Sequence, residues 1–267
     1  FINFSRHFQT IGAPVPGIIA VNDNVEIYVQ QDLGDTSLLN TLEKEGYTEH
    51  VFDLYKKSLK ALAHLQIKAD EELNYNWCIT SREFGKQAIL SDLLYFKYYF
   101  LDPLKLAYDK ESLLLEFESL SRYLAHTDYR YFMFRDFQSR NIMVHNDQPW
   151  FIDYQGGMKG ALPYDVASLL WQAKAELPED WKHRLLNHYM DCVESELQQP
   201  LDRVAFNGQY QGYVLIRLLQ VLGAYGFRGL FERKAHFLTS IPLALRNLQS
   251  YLQNHWPGIS LPLLESL

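Results

Sequence analysis

Asp136, Asn141 and Asp153 have the types and spacing to take up a proton and to hold a divalent cation. The stretch that carries them reads Tyr131-Phe132-Met133-Phe134-Arg135-Asp136-Phe137-Gln138-Ser139-Arg140-Asn141-Ile142-Met143-Val144. A polar His145-Asn146-Asp147-Gln148 follows, then Pro149-Trp150-Phe151-Ile152-Asp153-Tyr154-Gln155-Gly156-Gly157. Two short apolar strands flank a polar turn, which predicts a hairpin with an acidic residue at its exit and another before its entry. Phosphoryl transfer from ATP needs a group that accepts the attacking hydroxyl's proton and oxygen ligands that hold Mg²⁺ on the phosphates. Asp136 is the candidate base, Asn141 offers a neutral carbonyl oxygen, and Asp153 offers a carboxylate.

A plainer reading stands beside this one. Asp136 and Asn141 can cap and order a tight loop, and Asp153 can cap the segment after a strand. Local composition weighs against it: Asp136 lies between Phe134 and Phe137, and Asp153 follows Trp150-Phe151-Ile152. A carboxylate in an apolar setting is expected to need a counter-ion, and Mg²⁺ would answer that need. Gln138, Arg140 and Gln155 lie beside the presumed transfer point and are candidates to hydrogen-bond an acceptor's hydroxyls, although Arg140 can equally be a solvated loop charge. Arg135 is expected to be structural, pairing with a nearby acid.

The elements that must position these residues follow from periodicity. Phe1, Phe4, Phe8 and Ile11 fall at helical spacing, and Gly12, Pro14 and Pro16 end that helix. Gly17 to Val21 and Glu26 to Gln31 lean towards strand and are joined by Asn22-Asp23-Asn24, a turn-forming run, so a second hairpin is expected. Beyond the connector Asp32-Leu33-Gly34-Asp35-Thr36 the pattern is helical. Helices are predicted around Val51–Leu65, Ile89–Leu101 and Leu113–Leu124, and again from Tyr164 with breaks at Pro178, Pro200 and Pro242. The aromatic run Tyr95 to Phe100 fits a tight core or a surface that stacks on a sugar. The expected fold class is α+β, with a remnant of a small β-containing lobe and hinge over 1–35. A mainly helical lobe over 36–267 then contains the catalytic loop 134–157.

Composition sets the outer bounds. The chain has 267 residues, 48% of them hydrophobic, enough for a sizeable core. A net charge of −7 argues against a nucleic-acid or anionic-membrane partner. Only Cys78 and Cys192 are present, without a disulfide or metal-ligand pattern, which fits a reducing cytoplasm. No apolar run approaches the roughly 20 residues of a membrane span, and no signal-peptide pattern opens the chain. Phe1 opens inside a helical pattern and the end, Leu261 to Leu267, has no polar tail, so the chain is expected to be a fragment. None of the nine histidines forms a ligand-spaced pair near carboxylates, so no zinc site is expected.

An aspartate, an asparagine five residues on and an aspartate after a hairpin also match the protein-kinase catalytic-loop spacing. With Asp153-Tyr154-Gln155 as the exit, the chain resembles the aminoglycoside phosphotransferase and choline kinase group, which phosphorylates small molecules. F-R-D-F-Q-S-R-N-I-M, W-F-I-D-Y-Q-G-G, Pro163-Tyr164-Asp165-Val166-Ala167-Ser168-Leu169-Leu170 and the early Q-D-L-G-D-T look more narrowly like bacterial kinases acting on the anomeric hydroxyl of N-acetylmuramate and N-acetylglucosamine. The resemblance implies a kinase-like fold, ATP and Mg²⁺, a hinge at Gln30, Gln31, Asp32 and Leu33 whose backbone meets adenine, and Asp165 as a brace for the catalytic loop. It also implies a place in cell-wall sugar salvage. Two departures are visible. That group usually has histidine where Phe134 stands, and its glycine-rich loop and phosphate-binding lysine have no counterpart here. Gly85-Lys86 lacks the surrounding motif and reads as a helix start. The rival readings are another acceptor (choline, homoserine or an aminoglycoside) and a catalytically silent kinase-like module that regulates a partner.

Overall fold

The structure, a computed structural model, describes residues 1–127 and 130–266. Leu267, the last residue of the expected helical lobe and of the unpolar tail, lies outside the described residues. In chain order the elements begin with α1 (Ile2–Thr10), β1 (Ile18–Val21), β2 (Tyr28–Gln30), α2 (Leu38–Glu45) and α3 (Glu49–Asp70). Next come α4 (Lys86–Phe96) and α5 (Lys110–Ala125), then β3 (Arg130–Met133), β4 (Ile142–His145), β5 (Gln148–Phe151), β6 (Met158–Ala161), α6 (Leu162–Leu170) and α7 (Glu179–Leu197). The chain continues through α8 (Arg203–Tyr225), α9 (Ala235–Leu238), α10 (Ile241–Asn254) and α11 (Pro262–Ser266). It packs as two compact units, one made of Phe1–Arg82 with Tyr129–Leu201 and the other of Glu83–Asp128 with Asp202–Leu267.

The first unit is built on α3. Thr48 caps it by accepting from the Val51 N–H at 3.3 Å, and Glu49 sits favourably in the first turn. Val51, Leu54, Leu62 and Leu65 are fully buried, as are Leu185, Tyr189 and Val193 of α7. The unit also holds three two-stranded antiparallel sheets, β1–β2, β3–β6 and β4–β5. The expected first hairpin is present, with Ala20 opposite Val29, and Asn22 closes its turn by accepting from the Glu26 and Ile27 N–H groups. Residues 1–35 join this unit through Phe4 and Phe8, both buried, whose rings meet Phe132.

Strand β6 had no signal in the sequence, because Met-Lys-Gly-Ala carries little strand propensity. Pairing creates it: Met158 lies opposite Met133 and Ala161 opposite Arg130, while the Lys159 N–H donates to the Arg82 carbonyl on the other edge at 2.9 Å. Gly157 just before it is required by space, since a Cβ there would collide with the Phe132 ring and sit 3.1 Å from the Met133 carbonyl oxygen.

The second unit is helical. Asp109 caps α5 through the Ser112 N–H at 2.6 Å, and Asp202 caps α8 through the Ala205 N–H at 3.0 Å. Helix α4 starts at Lys86 with Gly85 as its cap residue, as the sequence predicts. It widens into a π-helical turn over Lys97–Leu101, and α8 does the same over Gly226–Phe231. The two turns touch at Gly226, where a Cβ would overlap the Tyr99 carbonyl. In the aromatic run Phe96 and Phe100 are buried, but Tyr98 is 56% exposed, so the helix is not apolar-buried all round.

Among the described residues, Arg203–Phe231 is long and apolar enough, by length and composition alone, to cross a membrane. The sequence reading found no such run, because Gln209, Gln211, Arg217 and Gln220 interrupt it. More than half of its most apolar window, 56%, is buried inside the protein, and Arg217 is buried with it. Those facts fit a core helix.

Two outcomes are expected. Gly226→Ala should lower stability by about 1–3 kcal/mol through overpacking against Tyr99, read as a drop in the urea midpoint. His188 on α7 has its pKa lowered from the usual 6.5, first by burial and then by the Lys56 and Lys60 ammonium groups, while its bond to the Lys56 carbonyl opposes this. The unfolded chain therefore binds the proton more tightly. Stability from this residue is complete above about pH 6.5 and is lost as pH falls through that value towards the lowered folded pKa. His188→Gln should flatten that part of a stability profile recorded between pH 5 and 8.

Candidate active site

The site lies wholly within the first unit, on the loop between β3 and β4 and on the exit of β5. Its organising residue is Asp165 in α6, which is fully buried. One carboxylate oxygen accepts from the Phe134 N–H at 2.7 Å and from the Gln66 amide at 2.8 Å. The other accepts from the Arg135 N–H at 2.9 Å. Arg135 adopts φ 81°, a left-handed conformation that costs a side-chain-bearing residue about 1–3 kcal/mol and persists only where neighbours enforce it. Its guanidinium donates to the Tyr164 hydroxyl at 2.7 Å and lies over that ring.

The turn at Arg135 delivers Asp136, which keeps a side-chain exposure of 31%. Gln138 donates its amide to one Asp136 oxygen. Arg140 donates to the other at 3.1 Å, and Asn141 reaches the same oxygen at 3.2 Å and the Asp136 carbonyl at 2.9 Å. Ser139 anchors the middle of this loop, its N–H donating to the Gln172 side-chain oxygen at 2.8 Å. The loop is tied to the hairpin exit by the Ile152 N–H, which donates to the Asn141 carbonyl at 3.1 Å.

Asp153 is the second left-handed residue here, at φ 68°. Its carboxylate takes the Gln155 amide at 2.6 Å and faces the Asn141 amide at 3.5 Å. Asn141 thus stands between the two aspartates. The sequence reading put both carboxylates in apolar settings. The structure differs: Phe134 and Phe137 are fully buried against each other and Phe151, while Asp153 is exposed and Asp136 is half-exposed. The rings alternate with the acids along the chain, so packing draws the rings inward and leaves the carboxylates at the surface of the cleft. Phe134 packs its ring against Phe137, and its backbone N–H donates to Asp165.

A cavity of about 510 Å³ gathers Gln30, Asn141, Asp153 and Gln155. Phe1, Tyr28 and Ile152 also line it, and the sequence reading missed all three. The only signal for Tyr28 was an aromatic residue on the second strand of the first hairpin. Phe1 stacks on Tyr154 at 5.1 Å and meets Tyr28 at 5.0 Å. Tyr154 is buried, which pushes its phenol up to about 12, and its hydroxyl pairs with Ser5 at 2.7 Å. Of the expected hinge residues, Gln31 lines a different cavity. Asp32 accepts from the Gly34 N–H at 2.9 Å, and Leu33 is buried in the core.

The donor set suits a hard cation. The Asn141 amide nitrogen faces the two aspartates, and its oxygen accepts no hydrogen bond among the described residues. Among the described residues no cluster of three or more His, Cys, Asp or Glu could hold a metal. A cation here would therefore take one carboxylate and one amide from the protein and complete its shell with phosphate oxygens and water, the usual arrangement for Mg²⁺.

Residues 1–198 match the phosphotransferase enzyme family, and the chain belongs to that family. It is a phosphotransferase of the kinase type. The N-acetylmuramate/N-acetylglucosamine kinase of Neisseria meningitidis serogroup B is 24% identical over 240 residues, which cover 88% of this chain and 70% of that protein. A choline/ethanolamine kinase family protein from Mesorhizobium loti aligns over 99% of this chain and 81% of its own, with a TM-score of 0.62 at 11% identity. The amicoumacin kinase hAmiN, solved in complex with AMP-PNP, Ca²⁺ and Ami, aligns over 93% of this chain and 76% of its own, with a TM-score of 0.61 at 12% identity. These likenesses show the protein-kinase-like fold of the aminoglycoside phosphotransferase type.

Asp165→Asn should cost about 2–4 kcal/mol, because an amide NH₂ would face backbone N–H donors in a fully buried site. Denaturant unfolding should show the loss, and amide exchange at Phe134 and Arg135 should accelerate before the rest of the unit.

Proposed function

We propose that the chain transfers the γ-phosphoryl group of ATP to a small hydroxylated acceptor, an N-acetylated amino sugar at its anomeric hydroxyl. The observation that carries this is the convergence of Asp136, Asn141 and Asp153, with one amide within 3.5 Å of both carboxylates. Asp136 orients the acceptor hydroxyl and takes its proton. An anomeric hydroxyl is more acidic than an ordinary alcohol, so a carboxylate suffices as base. Asn141 and Asp153 would hold Mg²⁺, which when bound neutralises charge on the phosphates. Gln30 to Leu33 present backbone to the adenine, Gln30 from the wall of the Asp153 cavity. Gln138, Arg140 and Gln155 each rest on a carboxylate in the free protein and can turn to acceptor hydroxyls. The Arg140–Asp136 pair is half-exposed, so exchanging it costs little.

Catalysis is positioning and charge neutralisation, without a covalent enzyme intermediate. The sugar assignment is supported by the Neisseria meningitidis relative, and the nucleotide by the AMP-PNP bound to hAmiN. A place in cell-wall sugar recycling in the cytoplasm follows from that acceptor. An aminoglycoside acceptor is less well supported, because the loop beside Asp136 mixes Arg135 and Arg140 with the acids.

The test is ADP release with Mg²⁺-ATP and a panel of N-acetylmuramate, N-acetylglucosamine, choline and kanamycin. Turnover is expected on the N-acetyl sugars. Asp136→Asn should lower it at least 100-fold with nucleotide binding intact. Asp153→Asn should weaken Mg²⁺-dependent AMP-PNP binding at least tenfold and leave metal-free binding unchanged. Choline or kanamycin turnover alone would replace the acceptor, and nucleotide binding without any turnover would favour a silent module.

A further inference from the structure

The largest cavity among those described in the first unit, about 760 Å³, contains none of the residues assigned above to proton transfer or metal. It opens between the turn after α1, the α3 surface, β5 and the end of α7. The strand and hinge separate it from the Asp153 cavity: Gln30 lines one and Gln31 the other, as alternation of side chains along an extended backbone requires. The lining also changes at the end of β5, where Gln148, Pro149 and Trp150 border this cavity and Ile152 and Asp153, just past the strand, border the other. Its size is that of a small-molecule site.

The lining has a definite chemistry. Lys57 and Lys60 stand one helical turn apart on the same face of α3. Lys60 is exposed and forms no ion pair with the described residues. Lys57 meets Asp53 at 3.0 Å in a half-exposed pair and reaches the Asp147 carbonyl at 3.3 Å, interactions weak enough to exchange for a ligand. The acid in the wall, Glu196, hydrogen-bonds His64 at 3.2 Å, whose other ring nitrogen pairs with the Ile11 carbonyl at 2.8 Å. Trp150, half-buried, offers an aromatic wall. Two ammonium groups within one turn suit a dianion, and an aromatic wall suits an organic body attached to it.

We infer that this cavity behind the hinge is a second ligand site, for a small phosphate monoester held by Lys57 and Lys60 with its organic part against Trp150. A ligand there touches Gln31 and Trp150. Gln31 adjoins Gln30 and Trp150 lies two residues before Ile152, both walls of the Asp153 cavity, so occupancy is placed to bias nucleotide binding.

The test uses the chain labelled with 5-fluorotryptophan, with the Trp150 ¹⁹F resonance assigned by Trp150→Phe. Glucose 6-phosphate should shift that resonance saturably at millimolar concentration or below. Inorganic phosphate should act at least tenfold more weakly, and glucose should have no effect. The double variant Lys57→Met/Lys60→Met should lose at least tenfold in affinity while its other tryptophan resonances stay in place, which reports an intact fold. An unmoved Trp150 resonance, an equal response to glucose or inorganic phosphate, or undiminished affinity in the double variant would overturn the assignment. None of these readouts depends on phosphoryl transfer, so failure here is separable from failure of the proposed activity.

Discussion

The buried carboxylate of Asp165 is the constraint on which the site depends. It collects two consecutive backbone N–H groups and the Gln66 amide, and an ionised acceptor this far from water is tolerable only with such donors around it. In return it holds Arg135 in a left-handed conformation. That reversal lets Phe134 point into the core while Asp136, two residues later, reaches the cleft. Without it the strand would continue and its alternation would carry the acid elsewhere.

The loop is then held at three further points. Gln172 takes the Ser139 N–H, the Asn141 carbonyl takes the Ile152 N–H, and the β4–β5 hairpin is joined to the early connector, since the Val144 N–H donates to the Thr36 carbonyl at 2.9 Å. The Phe151 N–H also donates to the Pro14 carbonyl at 2.7 Å. The chain on either side of the first hairpin and hinge, at Pro14 and Thr36, and the hairpin that leads to Asp153 therefore share backbone hydrogen bonds. Cavities on the two faces of that shared backbone are mechanically adjacent even though they have no lining residue in common.

The chemistry of the cleft rests on one amide between two acids. Asn141 separates Asp136 from Asp153 and donates to both, which lessens the repulsion that would otherwise raise the cost of holding two carboxylates on one face. Its donors and acceptor point in opposite directions by covalent geometry, so turning the NH₂ towards the aspartates turns the oxygen away from them. A glutamate or aspartate at this position would add a third negative charge without supplying those donors.

Local chemistry in the sequence determined much of this. Periodicity defined α1, α3 and α5, strand-leaning runs around Asn22-Asp23-Asn24 defined the first hairpin, glycine and proline marked where helices stop or break, and the order Asp136, Asn141, Asp153 singled out the loop that carries them. These signals are legible because each acts within a few residues. Tertiary structure decided the rest. Strand β6 exists only because β3 offers it an edge, and the exposure of Asp153 follows from which neighbouring rings the core accepts. Phe1 joins the cavity wall by stacking on Tyr154 across more than a hundred residues of chain, and Tyr28 joins it by meeting the Phe1 ring. The turn of Gln31 away from Gln30 becomes meaningful only once a cavity lies on each side. Contacts of that range depend on the whole packed unit, and no short stretch of sequence encodes them.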